Sequence, residues 1–352
     1  MTASIDTLQH ECDSESLRLP TPAELKAALP IKHNLEHQIA EQRQSIRRLL
    51  NDADDRLMII VGPCSIDSEE AALEYGRRLA QLSAELKDEL FIVMRAYVEK
   101  PRTTLGWKGL AYDPLRNGQG NMALGLHSSR RILLQLTELG LPIATEALHP
   151  FVMNYISDLV SWVAIGARTS ESQPHRELVS DLPCPVGIKN GTDGRIHNAI
   201  NAMRASSSQH HTLTVNEDGQ IGMKNTAGNL DTHLVLRGGN GLTNYDIESI
   251  EQAISLLLFN QCRPKVLVDC NHDNSLRQHR KQTTISHDVI DQRIAGNVNV
   301  LGLMLESYLE DGKQEDGHPP IFGQSVTDPC LSWEDTENLL RSLHTKFKSG
   351  RV

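Results

Sequence analysis

Apolar residues along this chain follow two patterns, and the change between them divides it. Before residue 57, Leu35, Ile39, Ile46, Leu49 and Leu50 recur at helical spacing in an otherwise polar stretch. That spacing predicts a helix packed through one narrow stripe. Upstream, Thr21-Pro22-Ala23-Glu24 reads as a helix start. Thr21 can cap, proline suits the first helical position, and Glu24 can reach back as in a capping box. From Leu57, short runs rich in Val, Ile and Leu alternate with amphipathic stretches. Eight runs read as strands: Leu57–Val61, Phe91–Tyr97, Pro142–Glu146, Trp162–Gly166, Pro185–Lys189, His233–Arg237, Lys265–Cys270 and Val300–Leu305. Between several of them helical spacing returns, as in Leu79, Leu82 and Leu86, or Ile132, Leu136 and Leu139. Continuous apolar strands separated by helices predict a parallel sheet covered by helices. Eight such units over about 270 residues fit a closed (β/α)8 barrel of the α/β class better than an open doubly wound sheet. A dinucleotide-binding sheet would carry Gly-x-Gly-x-x-Gly after its first strand. Here Gly62-Pro63-Cys64-Ser65 follows instead.

The connection from Lys189 to His233 is too long for a simple barrel turn. It holds a helical stretch around Ile196–Ala205, then two short alternating runs flanking Asn216-Glu217-Asp218-Gly219. This predicts a β-hairpin inserted at about 211–224. Ser206-Ser207-Ser208, His210-His211 and Gly312–Pro320 read as exposed loops. Ser332 can cap a last helix whose inner stripe is Leu339, Leu340 and Leu343. The organisation expected is an N-terminal extension over 1–56, with an interface or regulatory role, and a barrel over 57–347 carrying the hairpin.

Length and charge refine this. A chain of 352 residues leaves room for two domains or one extended barrel. The formal charge of −10 argues against a general nucleic-acid or anionic-membrane binder, though not against one small basic pocket. The six cysteines, Cys12, Cys64, Cys184, Cys262, Cys270 and Cys330, form no Cys-x-x-Cys pair. The first twenty residues show no apolar signal segment, and no run approaches the roughly 18 residues of a membrane span. A reduced, soluble, cytoplasmic chain is the expectation.

In a parallel barrel every strand ends on one face, so residues following the apolar runs converge. Two chemical groups separate there. Arg95, Lys100, Arg102, Arg168, Lys189 and Arg237 are six cations at or just past strand ends. Such a set would repel itself without anions, and phosphate or carboxylate matches the arginine fork. Six charges exceed what one phosphate needs. The second group is Cys64, His272, Glu306 and Asp328. Thiolate, imidazole and two carboxylates make a mixed donor set for Mn2+, Fe2+, Co2+ or Zn2+. Their distance in sequence means no spacing rule supports the set. Cys64 could equally be a small core residue, and His272 could cap a helix.

The same residues carry a family resemblance. Gly62-Pro63-Cys64-Ser65-Ile66, the run from Glu99-Lys100-Pro101-Arg102-Thr103-Thr104 to Gly109, Gly166-Ala167-Arg168-Thr169, Lys189-Asn190-Gly191-Thr192-Asp193-Gly194, Leu236-Arg237-Gly238-Gly239 and Val268-Asp269-Cys270-Asn271-His272 occur in order. Together they resemble the type I 3-deoxy-D-arabino-heptulosonate 7-phosphate (DAHP) synthases, over about residues 15 to 345. The resemblance implies a (β/α)8 metal-dependent transferase that condenses phosphoenolpyruvate with erythrose 4-phosphate and releases phosphate. It implies metal ligands at Cys64, His272, Glu306 and Asp328. It puts phosphoenolpyruvate on Arg95, Lys100, Arg168, Lys189 and Arg237 with Glu146 beside them, and erythrose 4-phosphate on Arg102 and Thr103. It further implies feedback by phenylalanine, tyrosine or tryptophan and a homodimer or homotetramer. Asp67-Ser68 stands where the family usually has His-Asp, Ile188 where Phe is usual, and Asn271 where Ser is usual.

On this reading the metal acts as a Lewis acid toward the aldehyde, and the cations hold phosphoenolpyruvate with its C3 facing the aldehyde carbon. Lys100 is the first candidate for general acid, its pKa expected to fall beside other cations. The runner-up enzyme is a 3-deoxyoctulosonate 8-phosphate synthase. The Lys-Pro-Arg-Thr block favours the four-carbon aldose instead. A non-catalytic aromatic-amino-acid sensor is the third reading, and the competent residues at every ligand and phosphoenolpyruvate position oppose it.

Overall fold

The computed structural model describes residues 18–315 and 320–350. Cys12, the first seventeen residues of the expected extension and part of the loop read over Gly312–Pro320 lie outside the described residues.

Each of the eight apolar runs forms a parallel strand: β1 (Leu57–Gly62), β2 (Leu90–Arg95), β3 (Ile143–Glu146), β4 (Trp162–Ile165), β5 (Val186–Lys189), β8 (Thr232–Leu236), β9 (Val266–Asp269) and β10 (Val300–Glu306). They close in the order β1-β10-β9-β8-β5-β4-β3-β2. The ends differ from the sequence reading by a residue or two: β2 stops at Arg95, short of Tyr97, while β1 and β10 each run one residue further, to Gly62 and Glu306. Around the strands pack α3 (Glu69–Leu86), α4 (Met122–Glu138), α5 (Pro150–Ile156), α6 (Gln173–Asp181), α7 (His197–Ser206), α8 (Ile247–Phe259), α9 (Lys281–Ile294) and α10 (Trp333–Gly350). Burial on both faces is why the strands read as unbroken apolar runs and not as alternating ones.

Close packing shows at two glycines. A Cβ on Gly187 would lie 2.2 Å from the Trp162 ring, and one on Gly302 would lie 1.8 Å from the Met58 carbonyl oxygen. Inside the barrel, Trp162 Nε1 donates to His233 Nε2 at 2.9 Å. Burial pulls the His233 imidazole down to about 4, so it stays neutral and can accept.

The extension folds as α1 (Pro22–Ala28) and α2 (His33–Leu50). Thr21 and Glu24 form the expected capping box. Ile46, Leu49 and Leu50 join the same buried cluster as the inward-facing Met58, Ile60, Trp162 and Leu267. Arg43 donates to the carbonyls of Ser157 and Val160, just before β4, and Arg47 to that of Pro183, just before β5. The narrow stripe of α2 therefore stoppers the barrel at the end where strands begin, opposite the mouth.

The inserted hairpin is β6 (His211–Val215) paired antiparallel with β7 (Ile221–Asn225). Its tip meets α1 through Lys26–Glu217 at 2.6 Å and the Ala23 amide on the Glu217 carbonyl at 2.9 Å. Asn154 of α5 donates to the Val215 carbonyl at 2.9 Å. Two loop readings need correction. Ser206 is buried at the end of α7, its hydroxyl donating to the Ala202 carbonyl, and His211 opens β6 opposite Asn225. Both shifts come from the helix and the hairpin each running a residue further than their apolar patterns. Ser332 caps α10 through the Asp335 amide. No helix among the described residues is long and apolar enough to cross a membrane.

Candidate active site

The strand ends surround a cavity of about 540 Å³. All six cations singled out in the sequence line it, with Thr103, Glu146, His272 and Asp328. Arg277 and Lys313 line it too. Sequence reading missed these two because they stand several residues beyond β9 and β10, with no apolar run to mark them.

The inner cations are held by carboxylates. Arg95, at the end of β2, is 1% exposed and lies face-on to the Tyr97 ring, 3.6 Å from its centre. Its guanidinium donates to Glu306 Oε1 at 2.9 Å and to the carbonyls of Pro63 and Cys64. Lys189, ending β5, donates to Asp269 Oδ2 at 2.8 Å across β8. Arg237 lies 3.5 Å from Asp273. Charges this deep are tolerable only when paired and hydrogen-bonded. Asp269, with Lys189 and His272 against it, is held well below the usual carboxylate range despite burial.

Around the mouth the side chains are freer. Arg102 and Arg168 are exposed, and Arg168 Nη2 donates to Thr103 Oγ1 at 2.8 Å. Glu146 comes in from β3, and a Cβ on Gly166 would lie 2.3 Å from its Oε1.

Beneath the cations, donor atoms of Cys64, Glu306 and Asp328 all lie within 4.8 Å of one another. Asn271 Nδ2 donates to Glu306 Oε2, so the residue that departs from the family's usual serine orients one member of the cluster. His272 stands outside this triangle. Its Nδ1 is buried 2.9 Å from Asp269 Oδ2, out of line for a hydrogen bond. Sulfur and carboxylate oxygens at this spacing, with an imidazole on the same wall, fit a transition-metal ion in their chemistry.

Lys100 sits among these donors. Its Nζ lies 2.7 Å from Cys64 Sγ and 2.7 Å from Asp328 Oδ2. The expectation of a lowered lysine pKa is overturned. Burial alone would lower it, but Cys64, Asp328 and Glu306 outweigh burial and raise it, so the ammonium keeps its proton. Burial and Glu306 push the Cys64 thiol up to about 12, against the opposing pull of Lys100. Asp328 is held below its usual range by Lys100 although burial works the other way.

A closed parallel barrel with chemistry gathered where its strands end is the architecture of a (β/α)8 enzyme. The sequence profile of the DAHP synthetase I family matches residues 34–341, and the chain belongs to that family. It is 46% identical over 342 residues to the phospho-2-dehydro-3-deoxyheptonate aldolase, Tyr-sensitive, of Escherichia coli K12, covering 96% of each chain. It is 45% identical over 327 residues to the Trp-sensitive enzyme of the same name from Salmonella typhimurium, covering 92% of this chain and 94% of the relative. The solved phospho-2-dehydro-3-deoxyheptonate aldolase of Francisella tularensis superposes with a TM-score of 0.94 at 36% identity, over 96% of this chain and 99% of that one.

Proposed function

We propose that this chain condenses phosphoenolpyruvate with erythrose 4-phosphate and water, giving DAHP and inorganic phosphate. The observation that carries the reading is one cavity lined by eight cations and by Asp328, a member of the Cys64–Glu306–Asp328 donor cluster. Two phosphorylated substrates, one also a carboxylate, account for that much positive charge.

Arg95, Lys100, Arg168, Lys189 and Arg237 bind phosphoenolpyruvate, with Glu146 beside them, and Arg102 and Thr103 bind the phosphate of the aldose. Fixing both substrates makes the carbon–carbon step effectively intramolecular. Lys100 arrives protonated and delivers its proton to the aldehyde oxygen as C3 of phosphoenolpyruvate bonds to the aldehyde carbon. Water adds at C2, and phosphate leaves with cleavage of the C–O bond. A divalent ion, one of Mn2+, Fe2+, Co2+ or Zn2+, would be held by Cys64, Glu306 and Asp328 with His272 completing the set, and would supply Lewis-acid polarisation of the aldehyde.

The Tyr-sensitive and Trp-sensitive names of the relatives support feedback by an aromatic amino acid here. The junction of α1, the hairpin and α5 is the region we assign to that response, in a homodimer or homotetramer. The test is phosphate release by metal-reconstituted protein, with and without phenylalanine, tyrosine or tryptophan. Release dependent on phosphoenolpyruvate and erythrose 4-phosphate is expected, and release with arabinose 5-phosphate alone, or with neither aldose, refutes the reading.

A further inference from the structure

Arg277 has a place on the cavity wall that the proposed binding set leaves unused. It lies in the connection from β9 to α9, eight residues after the last residue of β9. Its side chain is 85% exposed, and its nearest carboxylate, Asp273, is 3.9 Å away. Asp273 is also 3.5 Å from Arg237. If Arg277 turns to another anion, Asp273 keeps Arg237 as its partner, so no buried charge is left uncompensated.

The backbone holds Arg277 in place at a cost. His272, Leu276 and Arg277 have φ of 53°, 51° and 61°. Residues with a Cβ rarely adopt this left-handed region, and such outliers gather where a site must be held in shape. The turn is pinned by the Arg277 amide on the His272 carbonyl at 2.9 Å and the Leu276 amide on the Asp273 carbonyl at 3.1 Å. A bond from the Ser275 hydroxyl to the same His272 carbonyl adds to this. Arg277 is thereby tied directly to His272 and presented at the mouth.

We propose that Arg277 is a phosphate-binding residue for the aldose substrate, closing from the β9 side on the group that Arg102 approaches from the β2 side. This rests on the reaction proposed above. The aldehyde carbon must reach the donor cluster at the bottom of the cavity. In erythrose 4-phosphate the phosphate is at the opposite end of a four-carbon chain, so it points outward to the rim. The buried cations Arg95 and Lys189 lie too deep to follow it there, whereas Arg277 is at the rim and free to move. An arginine fork presents paired donors to a phosphate dianion.

The test uses the full chain loaded with Mn2+, comparing wild type with Arg277→Ala and Arg277→Lys. Arg277→Ala should raise KM for erythrose 4-phosphate about tenfold or more, as expected for a lost charge-assisted bond. KM for phosphoenolpyruvate should move by less than about twofold, and Arg277→Lys should recover part of the loss. Inorganic phosphate competing with erythrose 4-phosphate should inhibit the alanine variant more weakly than wild type. An unchanged KM for the aldose overturns the proposal, as does an equal rise in both KM values. It is also overturned if the substitution weakens only phosphate inhibition that competes with phosphoenolpyruvate, because Arg277 would then hold the departing phosphate. Calorimetry with erythrose 4-phosphate separates the two levels. Arg277-dependent binding without turnover supports the subsite while refuting the reaction, and binding indifferent to Arg277 overturns the subsite itself.

Discussion

Lys100 Nζ donates to Asp328 Oδ2 at 2.7 Å, joining residues 228 positions apart. The pair keeps the lysine charged and the carboxylate ionised at one point of the cavity floor. Lys100→Ala should leave the bound metal content unchanged while turnover falls by about a hundredfold to ten-thousandfold. Single-turnover kinetics beside metal analysis would check this, and retained turnover would remove Lys100 from the chemistry.

Cys64 is fully buried, and its thiol resists ionisation. A cation is what brings it to the thiolate form. Cys64→Ala should therefore abolish stoichiometric metal binding while the barrel keeps its circular dichroism spectrum. A variant that holds metal normally would show that the donor set is wrong.

Glu99, next to Lys100 in the chain, is buried and accepts from Tyr112 Oη at 3.1 Å and the His149 amide at 3.3 Å. Burial pushes its carboxyl up to about 8. Between the ordinary value near 4.5 and about 8 the folded chain keeps a proton that the unfolded chain has lost. Stability from this group is therefore greatest at low pH and falls as pH rises through that window. Glu99→Gln, which stays neutral, should flatten the decline in melting temperature over it. Parallel pH profiles for the two proteins would refute the assignment.

Gly302 faces the Met58 carbonyl so closely that a methyl group must displace backbone. Gly302→Ala should cost about 3 kcal/mol, at the upper end for overpacking. Urea titration of both proteins measures it, and a change under about 0.5 kcal/mol, the range of an ordinary surface substitution, would mean the strands part freely there.

Much of this was legible because a barrel turns sequence order into spatial order. Eight apolar runs located eight strands, and what followed them located Arg95, Lys100, Lys189 and Arg237 in one cavity. The charge state of Lys100 was not legible. Its sequence neighbour is the cation Arg102, while the groups that govern it, Cys64 and Asp328, are 36 and 228 positions away. Arg277 escaped because a turn with positive φ at Leu276 and Arg277, invisible in residue types, sets it at the rim of the cavity. The stripe of α2 was readable as a packing face, but not as the stopper of the barrel floor, since the stripe alone does not say what it packs on.

The pairing of Arg95 with Glu306 and of Lys189 with Asp269 spans the barrel two strands at a time. It follows that ligands are not needed to neutralise these two inner cations while the chain folds. A substrate that reaches Arg95 or Lys189 meets a cation already paired with an anion of the wall. Its affinity should then respond to added salt far less steeply than eight bare cations would dictate, and competition from ordinary cellular anions should be correspondingly weak.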